Sequence, residues 1–96
     1  MTNKEIESIK EKIIPILKKY KVTKAGIFGS FARGENKKKS DVDILAEIDE
    51  KYDLYEIIKL QFLLEKAIKR KVDLVEYCLI RKEIRDSILN DEIRII

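Results

Sequence analysis

Apolar residues recur every three or four positions along three segments of this chain, and this spacing places them on one side of a helix. We therefore predict helices at residues 3–20, 53–70 and about 81–90. Pro15 falls inside the first helix, where it either kinks the helix or restarts it. The second helix is capped by Asp53 or a residue near it. Its apolar positions cover more than one face, so either it is buried on several sides or it carries a docking surface.

Three shorter apolar runs have the length and residue types of strands. They cover residues 22–29, 41–48 and 71–77, and the last six residues, DEIRII, can add a short edge strand. Gly29 ends the first of these strands. Helices and strands in this order predict an α/β (α+β) domain in which helices cover a small mixed β-sheet.

Between the first two strands the sequence turns polar. Residues 30–33 can begin a short helix with Ser30 as its N-cap, and GENKKKS is a polar loop. We find no internal repeat and no linker. The 96 residues are enough for one domain and too few for two, so we expect a single domain over residues 1–96.

Composition excludes several classes of protein. Charged residues make up 41% of the chain but balance to a net +3, which does not indicate direct nucleic-acid binding. No apolar run approaches the roughly 20 residues that cross a bilayer, and the N-terminus lacks the apolar segment of a signal peptide. Cys78 is the only cysteine. We expect a cytoplasmic protein with no membrane contact.

The chain contains no histidine. This excludes Ser-His-Asp triads, histidine acid–base catalysis and histidine metal sites together. Any bound metal must therefore have oxygen ligands, which favours magnesium or manganese over zinc.

Two aspartates lie where a buried strand should begin. Asp41 and Asp43 share one strand face, with Cα atoms about 7 Å apart, and carboxylates this close repel each other. Asp73 lies in another apolar strand. If the two strands are neighbours, the three carboxylates form the ligand set of a two-metal centre for phosphoryl transfer. The alternative is that Asp41 and Asp43 only cap a strand and Asp73 faces water.

A candidate phosphate site precedes these acids. Gly29 allows the backbone to approach a ligand closely, Ser30 and the amides after it can donate to phosphate oxygens, and Arg33 can reach the same oxygens. The alternatives are an ordinary strand-to-helix turn and a surface arginine. Lys37, Lys38 and Lys39 could attract an anion, but a run of this length is more often a solvated loop.

Gly29-Ser30 within GSFARG, a spacer of ten residues, Asp41-Val42-Asp43, and Asp73 on a later strand together resemble the minimal nucleotidyltransferases of the DNA polymerase beta superfamily. The resemblance covers nearly the whole chain. It implies transfer of a nucleotidyl group, usually from ATP, with pyrophosphate leaving. It also implies two Mg²⁺ ions, for which Mn²⁺ can substitute.

The resemblance assigns roles residue by residue. It implies that Gly29 and Ser30 hold the β and γ phosphates and that Arg33 contacts phosphate. Asp41 and Asp43 bind both metals, and Asp73 binds the catalytic metal and helps to deprotonate the acceptor hydroxyl.

Minimal nucleotidyltransferases are commonly paired with all-helical HEPN-domain proteins. In that setting they resemble antitoxins that attach AMP to a tyrosine of a HEPN ribonuclease toxin, which is an inference by family analogy. Two alternatives remain open: a binding module that neutralises a partner by contact without catalysis, and transfer to a small molecule. The second usually requires an additional domain to hold the acceptor.

Overall fold

The computed structural model describes residues 3–29 and 41–96, with the side chains of residues 3 and 4 excepted. The predicted short helix at 30–33 and the polar loop after it lie outside the described residues. The described elements are α1 (Asn3–Lys19), β1 (Lys24–Phe28), β2 (Val42–Glu47), α2 (Leu54–Ile68), β3 (Val72–Glu76), a 3₁₀ turn (Tyr77–Leu79), α3 (Lys82–Asp91) and β4 (Ile93–Arg94).

The four strands form one mixed sheet in the order β3-β2-β1-β4. β1 pairs antiparallel with both β2 and β4, whereas β2 and β3 run parallel. The connection between the two parallel strands is α2, which is the usual solution for a parallel pair. The predicted α+β class with a small mixed sheet is confirmed, and so is the short edge strand at the C-terminus.

One face of the sheet is covered by α1 and α2, and the main core lies between these two helices and the sheet. The alternation of side chains along each strand sends every second residue into this layer. Its fully buried members are Ile13 and Leu17 of α1, Ala25 and Ile27 of β1, Val42, Ile44 and Ala46 of β2, and Leu60 and Leu64 of α2.

The opposite face of the sheet carries the remaining strand residues. Leu45 is fully buried there, and Ile80 is buried in the segment that leads into α3. This face therefore has a small apolar centre of its own, and the rest of it carries polar side chains. In the parts of the chain that are described, no helix has the length and hydropathy to cross a membrane.

The predicted strand starting at residue 22 begins two residues later. Lys21 has a φ of 58°, and the amide of Val22 donates to the carbonyl of Leu17 at 3.0 Å. This bond ties Val22 to the end of α1 and makes its amide unavailable to a strand. α1 itself is continuous through Pro15.

The predicted capping residue of α2 is confirmed. The carboxylate of Asp53 accepts a hydrogen bond of 2.9 Å from the amide of Glu56, which satisfies one of the free donors of the first turn. At the other end Lys69 takes a left-handed conformation, and its amide bonds to the carbonyl of Glu65 at 2.7 Å. Both ends of α2 are thus fixed.

Candidate active site

Asp43 of β2 lies directly beside Asp73 of β3 in the parallel register. Neighbouring strands are about 4.8 Å apart, so the two Cα atoms are close and both side chains project from the face opposite α1 and α2. Asp41 immediately precedes β2 and is exposed. Asp43 is partly exposed and Asp73 is exposed. The condition set by the sequence, that the two acidic strands be neighbours, is therefore met.

The position of Asp73 is fixed through the residue before it. The amide of Val72 donates to Oε2 of Glu65, and its carbonyl accepts from Nε2 of Gln61, each at 2.9 Å. Both acceptor and donor lie on α2. Because both backbone groups of Val72 are held by α2, the strand enters the sheet in one register, and that register places Asp73 beside Asp43.

Gly29 lies at the end of β1, next to the acids. Phe28 pairs with Asp43 across β1 and β2, and Gly29 follows with a φ of 74°. A Cβ atom placed on Gly29 would overlap Oδ2 of Asp43 and would lie 3.2 Å from its Cγ. Two separate features therefore favour glycine at position 29: the backbone conformation and the carboxylate packed against it.

The acids fit an oxygen-preferring divalent cation by their chemistry and their placement on one face. Among residues 3–29 and 41–96, no three acidic, histidine or cysteine side chains already converge on a single metal position. The predicted roles of Asp41, Asp43 and Asp73 as metal ligands stay predictions. The predicted phosphate contacts of Ser30 and Arg33 fall on residues outside the described part.

A second polar cluster lies at the other end of the same sheet face. The phenol of Tyr77 donates to Oε2 of Glu92, and Nζ of Lys24 lies 4.3 Å from the centre of the Tyr77 ring. Burial, followed by the hydrogen bond to Glu92, raises the pKa of Tyr77 above its usual value near 10. A cleft of about 350 Å³ opens beside this cluster, with Glu47 on its wall.

This cluster was not predicted from the sequence. Glu92 packs so closely over Gly26 that a Cβ there would lie 2.7 Å from its carboxylate carbon. A glycine within the buried strand β1 was the available signal, because such a glycine often marks the close approach of another group. Tyr77 and Glu92 are 15 positions apart in the sequence, so no local pattern predicts their contact.

Comparison with known proteins agrees with this geometry. The family described as polymerase beta, nucleotidyltransferase matches residues 11–96. A Methanocaldococcus jannaschii protein, provisionally named a protein adenylyltransferase, is 43% identical over 91 residues that cover 95% of this chain and 98% of the relative. The protein adenylyltransferase MntA of Thermococcus cleftensis is 36% identical over 96 residues, which cover 95% of this chain and 93% of the relative.

Solved structures share the fold. A structure provisionally described as a minimal nucleotidyltransferase superposes with a TM-score of 0.82 at 26% identity, covering 97% of this chain and 95% of the other. A toxin–antitoxin complex with AMP-PNP gives 0.79 at 24% identity, covering 91% of this chain and 72% of the other. Three observations lead to one assignment. The sheet pairs Asp43 with Asp73, the family model matches residues 11–96, and the relatives are similar over nearly the whole chain. The chain is a member of the polymerase beta nucleotidyltransferase family.

Proposed function

We propose that this protein transfers AMP from ATP to a hydroxyl group of a partner protein. The acceptor is a tyrosine of a helical HEPN-type toxin, and the chain acts as the antitoxin. Asp43 beside Asp73 on neighbouring strands, in a member of this family, is the observation that carries the proposal. The relative named protein adenylyltransferase MntA, 36% identical over nearly the whole length of both chains, supports a protein as the acceptor.

The choice of partner has separate support. The solved structures that share this fold include toxin–antitoxin complexes, one of them a tri-AMPylated HEPN toxin of Shewanella oneidensis with its MNT antitoxin, at 21% identity. At that identity the likeness establishes the fold alone, and the HEPN-type partner is our inference from it.

The ligands for magnesium are assigned to the three aspartates. Asp41 and Asp43 would hold both ions and Asp73 one of them, with Mn²⁺ as an alternative. Bound there, the metal supplies charge neutralisation for the triphosphate and for the reacting oxygens. Gly29, Ser30 and Arg33 would bind the β and γ phosphates, and Gly29 has no side chain that would keep a phosphate oxygen away from the backbone.

The reaction proceeds by displacement at the α-phosphorus of ATP. The acceptor oxygen forms a bond to phosphorus, the bond to the bridging oxygen of the β-phosphate breaks, and pyrophosphate leaves with that electron pair. The acceptor proton passes to the carboxylate of Asp73 and from there to water. Asp73 is suited to this role because it is exposed on its strand, whereas Asp43 lies deeper between β1 and β3.

Intact mass spectrometry tests the proposal. The protein is incubated with ATP, Mg²⁺ and a purified HEPN-type partner, and the partner should gain about 329 Da for each AMP, the mass added by a phosphodiester at a hydroxyl. Replacement of the partner's tyrosines by phenylalanine should remove the gain. A partner that binds the protein and keeps its original mass contradicts the enzymatic proposal and favours neutralisation by contact.

A further inference from the structure

One side of α2 exposes four large apolar side chains. Leu54, Tyr55, Ile58 and Phe62 have 72%, 73%, 45% and 64% of their surface exposed. Spacings of three and four residues put them in one stripe along the helix. The opposite side of α2 is buried against the sheet through Leu60, Leu64 and Ile68, so the stripe has no role in the core of its own chain.

The ends of this apolar stripe carry opposite charges. The turn before α2 exposes three acidic side chains, Asp49, Glu50 and Asp53, and one basic side chain, Lys51, so its net charge is negative. The last turn of the helix and the residues after it expose Lys66, Lys69 and Lys71, which line a shallow cleft of about 520 Å³ together with Phe62. Along α2 the surface therefore changes from acidic to apolar to basic.

We propose that the α2 stripe binds the same stripe of a second copy of this chain, with the two helices antiparallel around a two-fold axis near Ile58. A shared axis at Ile58 places Leu54 against Phe62 of the other copy. It also brings Lys66 to the acidic turn at 49–53 of the other copy. The dipoles of two antiparallel helices oppose each other, which adds to the attraction.

A second copy fits this surface because the surface is its own complement. An isologous interface brings one patch against its rotated image, so the patch must match itself in reverse. Acidic, apolar and basic sections in that order do so when the helices are antiparallel, whereas a parallel pairing would join acid to acid and base to base. Four exposed apolar side chains per copy and their charged flanks bury on the order of 1,000 Å² in total, at the lower end for specific interfaces. We therefore expect micromolar affinity.

The proposed interface leaves the acidic site open. α2 covers the sheet face that Val42 and Ile44 occupy, and Asp43 and Asp73 project from the other face. Dimer formation therefore needs neither ATP nor a toxin, and it can be measured whether or not the protein transfers AMP.

Sedimentation velocity of the full chain from about 1 µM to about 1 mM tests the association. Wild type should shift from monomer to dimer, and Phe62→Glu or Ile58→Glu should weaken the dimer at least tenfold. Both positions are exposed, so circular dichroism should match wild type. Lys66→Glu and Glu50→Lys should each weaken the dimer, and the double variant should recover most of the wild-type affinity, because each new glutamate faces a new lysine of the other copy.

A cysteine at the axis gives an independent measurement. Ile58→Cys combined with Cys78→Ser should form a disulfide-linked dimer under mild oxidation, whereas wild type, whose Cys78 is also exposed, should not. A wild type that stays monomeric throughout the concentration range overturns the proposal. So does the finding that the α2 stripe binds a different protein and not a second copy of this chain. A dimer that Phe62→Glu leaves intact, or a double charge variant without recovery, overturns the antiparallel α2 contact.

Discussion

Gly29 and the carboxylate of Asp43 are packed so closely that no other residue type fits at position 29. The glycine has a φ of 74°, and a Cβ on it would overlap Oδ2 of Asp43. The contact joins the end of β1 to the central acid of β2, and therefore joins the predicted phosphate-binding segment to the predicted metal ligands. A change at Gly29 must move one of these two groups.

Gly29→Ala should lower AMP transfer at least tenfold and destabilise the fold by about 1–2 kcal/mol. The stability loss comes from an alanine held at positive φ, and the activity loss comes from displacement of the Asp43 carboxylate. Transfer rate and urea denaturation measure the two effects separately.

Gly26→Ala is the matched control for this substitution. A Cβ at Gly26 meets the side chain of Glu92 instead of an acid of the site, and Gly26 lies two residues before Phe28 on the same strand face. We expect the variant to lose stability through the displaced Glu92 but to retain transfer within about threefold in the folded protein. Equal activity losses in both variants would contradict the special role of the contact between Gly29 and Asp43.

The neighbouring positions of Asp43 and Asp73 could be anticipated in part from two local rules. Side-chain alternation predicts Asp41 and Asp43 on one strand face, and Asp73 stands out as a charged residue inside an apolar run. In the structure Asp41 precedes β2, and Asp43 alone of this pair lies in the strand beside Asp73. The order of the strands and the register came from long-range contacts, above all from Gln61 and Glu65 of α2 with Val72. No periodicity in the sequence encodes such contacts.

The cluster of Tyr77, Glu92 and Lys24 could not be predicted for the same reason. Its members come from three distant segments, and each has an ordinary local role as a strand end, a helix end or a strand start. The sequence shows that α2 has apolar residues on more than one face. Only the structure separates the buried ones, such as Leu64, from the exposed ones, such as Phe62.

Asp43→Asn should abolish transfer and remove the stabilisation of the protein by Mg²⁺. Without metal, its thermal midpoint should equal or slightly exceed that of wild type, because the repulsion between neighbouring carboxylates, a fraction of 1 kcal/mol, is relieved. Thermal unfolding with Mg²⁺ and with EDTA makes the measurement. Asp86→Asn, on the exposed surface of α3, is the control and should behave as wild type. A metal-dependent rise in the Asp43 variant equal to that of wild type would exclude Asp43 as a ligand.

Leu64→Ala and Phe62→Ala should differ sharply although both remove large apolar groups from α2. Leu64 is fully buried, so its loss should cost about 2–5 kcal/mol through a cavity in the core. Phe62 is 64% exposed, and its loss should change the stability of the monomer by no more than about 0.5 kcal/mol. Urea denaturation at low protein concentration compares them, and a large loss in Phe62→Ala would show that this side chain belongs to the core.

Tyr77→Phe should cost about 1 kcal/mol near neutral pH, because the hydrogen bond to Glu92 is lost. Burial raises the pKa of Tyr77 in the folded protein above its value near 10 in the unfolded chain. The folded state therefore keeps this proton where the unfolded state releases it, and its stabilising effect falls as the pH rises above about 10. Urea midpoints from about pH 8 to pH 11 should show the advantage of wild type over the variant shrinking at the alkaline end. A difference that grows with pH would contradict the raised pKa.

Asp73→Asn should separate binding from chemistry. In the proposed site Gly29 and the pair Asp41 and Asp43 would hold ATP through the metal without Asp73, so ATP–Mg²⁺ affinity should stay within about threefold of wild type. Transfer should fall at least about 10²-fold, the scale of a general base, because the amide cannot accept the acceptor proton. Calorimetry with ATP and intact mass of the partner measure the two quantities on the same preparation.

In cells the variant should still form the complex with a toxin partner and should fail to protect. Since the substitution keeps the size of the side chain, the register that pairs residue 73 with Asp43 should persist. Full protection by this variant, with the partner unmodified by wild type as well, would mean that contact alone neutralises the partner.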